Sequence, residues 1–280
     1  MSSRFAAVAL VVLAACAPAA EEAPEVAVAT PQEVTFTATE FAFTGPDSIA
    51  PGMTKIEFVN NGQQPHHMIL ARINDGHTLQ ELHEFMAANP HAAPDFVTFY
   101  GAANVVSNGG RTGSTVDLPA GEYVAVCFIP DPADGKAHIE KGMMRALIVR
   151  GERHEAPAPV AVAQIRFSDF TFALPSMTPG THTFHMVNDG PQPHEAQLIR
   201  LNDGVTMEQY MAAMAPGATA PPPGTDLGGS GAISQGIENW WTVTLEPGNY
   251  IVVCFVPDPA DGAPHAMKGM VQQFAVTATS

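Results

Sequence analysis

From Val34 onward the chain is a succession of short runs in which apolar or β-branched residues alternate with polar ones, punctuated by Gly and Pro. Val34-Thr35-Phe36-Thr37-Ala38-Thr39 and Thr54-Lys55-Ile56-Glu57-Phe58-Val59 have the period of strands, with Pro51-Gly52 supplying a turn between them. Thr181 to Val187 repeats the pattern behind Pro179-Gly180. Thr115 to Val126 and Trp241 to Val253 each predict two strands around Pro119-Ala120-Gly121 or Pro247-Gly248. Leu79, Leu82, Phe85 and Met86 instead fall at helical spacing over Thr78 to Ala88, and Glu81 stands three residues after Thr78 as a capping box requires. Thr206 to Met214 is the counterpart of that helix further along. Many short antiparallel strands with Gly/Pro turns predict an all-β fold of Greek-key sandwiches, each with a short helical insertion.

The pattern occurs twice. Asn60-Asn61-Gly62-Gln63-Gln64-Pro65-His66 returns as Asn188-Asp189-Gly190-Pro191-Gln192-Pro193-His194, and Cys127-Phe128-Ile129-Pro130-Asp131-Pro132-Ala133-Asp134-Gly135 as Cys254-Phe255-Val256-Pro257-Asp258-Pro259-Ala260-Asp261-Gly262. A chain of 280 residues also exceeds one typical domain. Two tandem domains are therefore expected, at 34–150 and 163–280, joined by the Pro- and charge-rich linker 151–162.

Composition agrees: 46% hydrophobic, 14% charged, with 24 Gly and 25 Pro, a mixture suited to strands and turns. The start of the chain has another purpose. Arg4, the apolar run Phe5 to Leu13 and small residues have the layout of a secretory signal over 1–15, too short to span a bilayer. Leu13-Ala14-Ala15-Cys16 resembles the lipobox of bacterial lipoproteins, which implies cleavage before Cys16, lipidation of its sulfur and a membrane-anchored, periplasmic or cell-surface location. The Ala/Pro/Glu-rich stretch 16–33 then reads as a tether. A formal charge of −16 argues against nucleic acid and for partners carrying a basic patch.

With Cys16 at the lipobox, each repeat retains one cysteine and so lacks a disulfide partner within its own fold. Each cysteine instead belongs to a quartet. His66 precedes Cys127 by 61 positions and His194 precedes Cys254 by 60; the next histidines, His138 and His265, follow by 11; Met143 and Met270 follow those by 5. Two imidazoles, a thiolate and a thioether are the donor set of blue copper electron-transfer sites.

The motif Asn-x-Gly-x-x-Pro-His and the ending Cys…His-x4-Met resemble the cupredoxin family in both repeats. The resemblance implies type 1 copper, up to two ions per chain, held by His66, Cys127, His138 and Met143 in one repeat and by His194, Cys254, His265 and Met270 in the other. It also implies an electron carrier, with no catalytic residues, docking on a redox protein such as a c-type cytochrome or a membrane oxidase. Two features depart from the family. Ten residues separate Cys from the second His, closer to the loops of copper nitrite reductases than to small cupredoxins. The family's usual Asn after the first His is replaced by His67 and Glu195, so the hydrogen bonding around the two sites is expected to differ.

Other candidates have plainer readings. His67, His77, His83 and His91 lack counterparts in the second repeat, and the His77–His83 spacing does not share a helix face. Met207, Met211 and Met214 read as the packed stripe of a helix. Asp131 to Gly135 reads as a turn rather than a calcium loop. A copper carrier or structural lipoprotein is the alternative; a copper oxidase or nitrite reductase fits less well, because Val126 and Phe128, and Val253 and Phe255, flank the cysteines where those enzymes place a histidine.

Overall fold

The structure is a computed structural model that describes residues 29–89, 93–215 and 221–278. Arg4, Cys16, most of the tether and His91 lie outside these residues. The first repeat contains β1 (Gln32–Thr39), β2 (Ala42–Thr44), β3 (Ser48–Ile49), β4 (Gly52–Asn60), β5 (His66–Ile73), α1 (Leu79–Ala88), β6 (Val97–Val106), β7 (Arg111–Leu118), β8 (Gly121–Val126) and β9 (Met144–Val149). The second follows the same plan with β10 (Ala163–Ser168), β11 (Thr171–Ala173), β12 (Gly180–Asn188), β13 (His194–Leu201), α2 (Met207–Ala213), β14 (Gly224–Ile233), β15 (Glu238–Leu245), β16 (Gly248–Val253) and β17 (Val271–Val276). β1 begins two residues inside the stretch read as tether.

The strands form two sheets that run through both repeats. One has the order β11-β10-β12-β15-β7-β4-β1-β2, the other β17-β16-β13-β14-β6-β5-β8-β9-β3. Antiparallel pairing of β7 with β15 and of β6 with β14 joins the repeats. Pairing is not antiparallel throughout, as the strand pattern had suggested. β1 pairs parallel with β4, β10 with β12 and β3 with β9. In the first repeat the β1–β2 hairpin leads to β3 in the opposite sheet before β4 returns beside β1, so the two neighbours point the same way.

β5 and β13 are the strands that carry the first histidines. Each is buried nearly end to end. Met68 and Leu70 of β5 face the core shared with Phe36, Phe58, Cys127 and Met143, while Ile69, Ala71 and Ile73 pack with Leu82 of α1. Coverage of both faces explains an apolar run without alternation. In β13, Ala196 and Leu198 face the sandwich interior, and Ile199 and Leu201 meet Tyr210 of α2. The helices start as the sequence predicts: Thr78 and Glu81 form a reciprocal capping box, and Thr206 and Gln209 another. Burying Leu82 contributes about 2 kcal/mol, and Leu79 and Met86 pack against the same cluster, which together favour a ten-residue helix that would be marginal alone in water.

Candidate metal centres

The first histidine of each quartet is set by the Asn-x-Gly-x-x-Pro-His segment. Asn60, fully buried, donates its amide to the carbonyls of Gln64 (2.8 Å) and Val106 (3.0 Å), and its oxygen accepts the N–H of Gly62 (2.9 Å). Asn188 repeats all three bonds with Gln192, Ile233 and Gly190. One side chain thus ties the loop to itself and to the next strand. Glycine is required by proximity: a Cβ on Gly62 would lie 2.7 Å from His66 Nε2, and one on Gly190 2.9 Å from His194 Nε2.

The second histidine returns to the cysteine through a small ladder. After Cys127 the chain runs out and back: Asp131 N–H donates to Lys136 O (2.8 Å), His138 N–H to Ile129 O (2.8 Å) and Ile139 N–H to Cys127 O (2.8 Å). Asp258 to Ala263, His265 to Val256 and Ala266 to Cys254 repeat it. The ten intervening residues form an excursion that leaves the cysteine and histidine adjacent. Asp131 and Asp258 close the turns, accepting the N–H groups of Ala133 and Ala260, and bind Lys141 and Lys268 respectively. These residues form the turn expected of them. Met143 is tied to both neighbours: its N–H donates to His138 O (3.0 Å), and its carbonyl accepts from Cys127 N–H (3.3 Å). Met270 bonds His265 and Cys254 in the same way.

Three donor atoms converge in each repeat. His66 Nδ1 and His138 Nδ1 are 3.1 Å apart, and Cys127 Sγ lies 3.9 Å and 3.5 Å from them. In the second repeat His194 Nδ1 and His265 Nδ1 are 3.0 Å apart, with Cys254 Sγ 3.5 Å from His265. A tetrahedral ion with ordinary metal–nitrogen and metal–sulfur bonds separates two nitrogens by about 3.3 Å and nitrogen from sulfur by about 3.6 Å. The spacings match, and the soft sulfur beside imidazoles suits copper. All six side chains, and those of Met143 and Met270, are buried. Burial, with the neighbouring His138, lowers His66 to about 4; burial and His194 lower His265 to about 4; burial also lowers His138 and His194. The imidazoles are therefore neutral and competent to ligate at pH 7. Burial pushes the Cys127 thiol up to about 12 and Cys254 well above its ordinary value, so each thiolate needs a cation beside it.

The groups behind the donors are matched in position but not in chemistry. Gln64 and Gln192 accept from Nε2 of His138 and His265, both at 2.9 Å, which leaves Nδ1 facing the centre. The residues that follow the first histidines both accept the N–H that follows the cysteine: His67 Nε2 from Phe128 (2.7 Å) and Glu195 Oε1 from Phe255 (2.9 Å). Burial lowers His67 to about 3 and raises Glu195 to about 7. Phe41 and Phe170 stand edge-on to His138 and His265, with Lys141 and Lys268 over their outer faces. Glu40 and Asp169 approach the first histidines. Sequence reasoning passed over these acids, although Glu40-Phe41-Ala42-Phe43 and Asp169-Phe170-Thr171-Phe172 form a repeated acidic-Phe-x-Phe signal.

The remaining candidates lie elsewhere. His77 stacks on Phe96, and His83 contacts Met144 on the surface. Met207 and Met211 pack beneath α2, while Met214, at 41% exposure, extends beyond the stripe. Among the described residues, the His/Cys/Asp/Glu clusters able to hold a metal are the two His-Cys-His groups.

No family model and no curated protein matches the chain. Among solved structures it is similar to a reduced auracyanin from Roseiflexus castenholzii, at 21% identity and TM-score 0.31, covering 44% of this chain and 99% of that one. An auracyanin A from Chloroflexus aurantiacus, described as a "blue" copper protein, is similar at 19% identity and TM-score 0.29, over 43% of this chain and 100% of that one. A copper nitrite reductase from Nitrosomonas europaea is similar at 13% identity and TM-score 0.25, over 89% of this chain and 94% of that one.

Proposed function

We propose that this protein is an extracytoplasmic electron carrier, anchored by lipid on Cys16, with one type 1 copper in each repeat. The observation that carries this reading is the duplicated Nδ1–Nδ1–Sγ triangle, buried in both copies and accompanied in each by a buried methionine whose backbone bonds the cysteine and the second histidine. His66, Cys127, His138 and Met143 would hold one ion, and His194, Cys254, His265 and Met270 the other. Bound copper supplies a one-electron couple that needs no bond made or broken on a substrate. The chain keeps the imidazoles neutral, excludes water and fixes the ligand loops by backbone hydrogen bonds, so little rearrangement accompanies a change of charge. The acidic surface favours a redox partner with a basic docking patch, such as a c-type cytochrome or membrane oxidase.

Copper titration of the soluble form followed by optical spectroscopy tests the reading. Two equivalents, an intense thiolate-to-copper band and its reversible bleaching by ascorbate are expected. A copper-loaded but colourless protein would replace electron transfer with copper carriage. The anchor is tested separately: Cys16→Ser should release the protein from the membrane fraction or leave it unprocessed, and firm retention would refute lipidation.

A further inference from the structure

The two centres differ at one matched position. Glu40 and Asp169 both follow the first strand of their repeat and precede the phenylalanine beside the second histidine. Asp169 Oδ1 lies 2.5 Å from His194 Nε2. Glu40 has one more methylene, and its carboxylate turns to the backbone N–H groups of Gln63 and Gln64. It remains 3.9 Å from His66 Nε2, which is buried and has no hydrogen-bond partner among the described residues.

We infer that Asp169 is a positioning residue that holds the second centre at a lower reduction potential than the first. A single electron on the protein then comes to rest in the first repeat. The inference rests on the copper reading above. With Nδ1 turned to the metal, the first histidine keeps its proton on Nε2. In the second repeat that N–H is given to a carboxylate, which orients the ring and makes Nδ1 a stronger donor. A stronger donor stabilises the more highly charged oxidised ion over the reduced one, and the carboxylate lies closer to the first histidine at the second centre, 2.5 Å against 3.9 Å, which adds to the effect in a site shielded from water. His66 receives no such hydrogen bond. One electron therefore passes from the second centre, which is oxidised, to the first, which is reduced, with no proton or bond transferred.

The test uses the soluble copper-loaded chain, with Cys127→Ser to isolate the second centre and Cys254→Ser to isolate the first. Spectroelectrochemistry should place the second centre lower. In the Cys127→Ser background, Asp169→Asn should raise its potential by the equivalent of about tenfold in the one-electron equilibrium, ~59 mV. Asp169→Glu, which copies the first repeat, should move it the same way with circular dichroism and copper stoichiometry unchanged. NMR of the reduced form should show a downfield His194 Nε2–H resonance that Asp169→Asn shifts upfield. Half-reduction of the wild type with ascorbate should leave the paramagnetic resonance spectrum of the second centre. Blue protein whose potential ignores Asp169→Asn, or whose half-reduced form retains the first centre's spectrum, overturns the inference alone. Loss of the blue band from both single-centre proteins overturns the copper reading and the inference with it.

Discussion

Gly62 and Gly190 are where a single atom decides the geometry of a centre. A Cβ on Gly190 would meet Asp169 Oδ1 at 2.5 Å as well as the His194 ring, and one on Gly62 would meet Glu40 and His66, both at 2.7 Å. Alanine at either position should displace the first histidine and weaken copper binding at that centre alone by roughly 10–100-fold, the scale of losses behind metal ligands. Competitive copper titration of the single-centre proteins reads this, with circular dichroism showing the sandwich intact. His67 supports a second prediction. Buried His67 accepts the N–H of Phe128 on Nε2 in a part-buried contact, and His67→Leu leaves that donor without its partner, which should cost about 1 kcal/mol in urea unfolding. The six histidines and cysteines that converge were legible because uncommon residue types recurred at matched spacings. The acids behind them were not, because the difference between Glu40 and Asp169 is one methylene and the direction in which a carboxylate turns.

The connection from cysteine to second histidine shows what an element adds to a residue pattern. From spacing alone ten residues looked long for two groups sharing one ion; paired backbone bonds from Cys127 to Ile139 fold the excess outward. Asp131 fastens the turn to Lys141 and to Gln64, the residue that receives His138 Nε2–H. Asp131→Ala should therefore loosen His138 and weaken copper binding about tenfold at the first centre, an effect that copper titration of the Cys254→Ser protein reads. Hydrogen bonding to Lys141 holds Asp131 and Asp134 below the usual carboxylate range. Their contribution is complete above the ordinary carboxylate value and disappears as pH falls through the lowered one. Protection of the Lys136 and His138 amides from hydrogen exchange, relative to their intrinsic rates at each pH, should fall there in the apo protein, and Lys141→Met should remove that acid step. The helices and strands β1, β4, β7, β8, β12, β15 and β16 were legible from period and capping. β14 was not: Gly228-Gly229-Ser230-Gly231 looks like a loop. These glycines admit neighbours, since a Cβ on Gly229 would lie 1.9 Å from Ala196 O and one on Gly228 2.2 Å from Thr112 Oγ1.

At the scale of the whole molecule, the two repeats share both sheets although each has its own sandwich core. Hydrophobic period cannot reveal this, because a strand that pairs within its repeat and one that pairs across it have the same pattern. The seam is polar as well as laddered. Trp241 Nε1 donates to Thr112 Oγ1 (3.1 Å), Asn104 donates to Ser230 O (2.9 Å), and Asp226 bonds Ser107 across the boundary. Asp226 also accepts from Gln197 at 2.6 Å. Burial is the largest influence on its carboxyl and raises its pKa above the ordinary value, against the opposing hydrogen bonds from Gln197 and Ser107. The sign follows from proton counting: between the ordinary and the raised value the folded protein binds more protons than the unfolded chain, so stability falls as pH rises through that window. One such group can contribute a slope of at most about 1.4 kcal/mol per pH unit. Asp226→Asn retains the shape, removes the ionisation and should flatten that part of the profile. Urea unfolding of the apo protein at closely spaced pH values, wild type against variant, measures the difference; identical profiles would show that the seam carries Asp226 without a proton penalty.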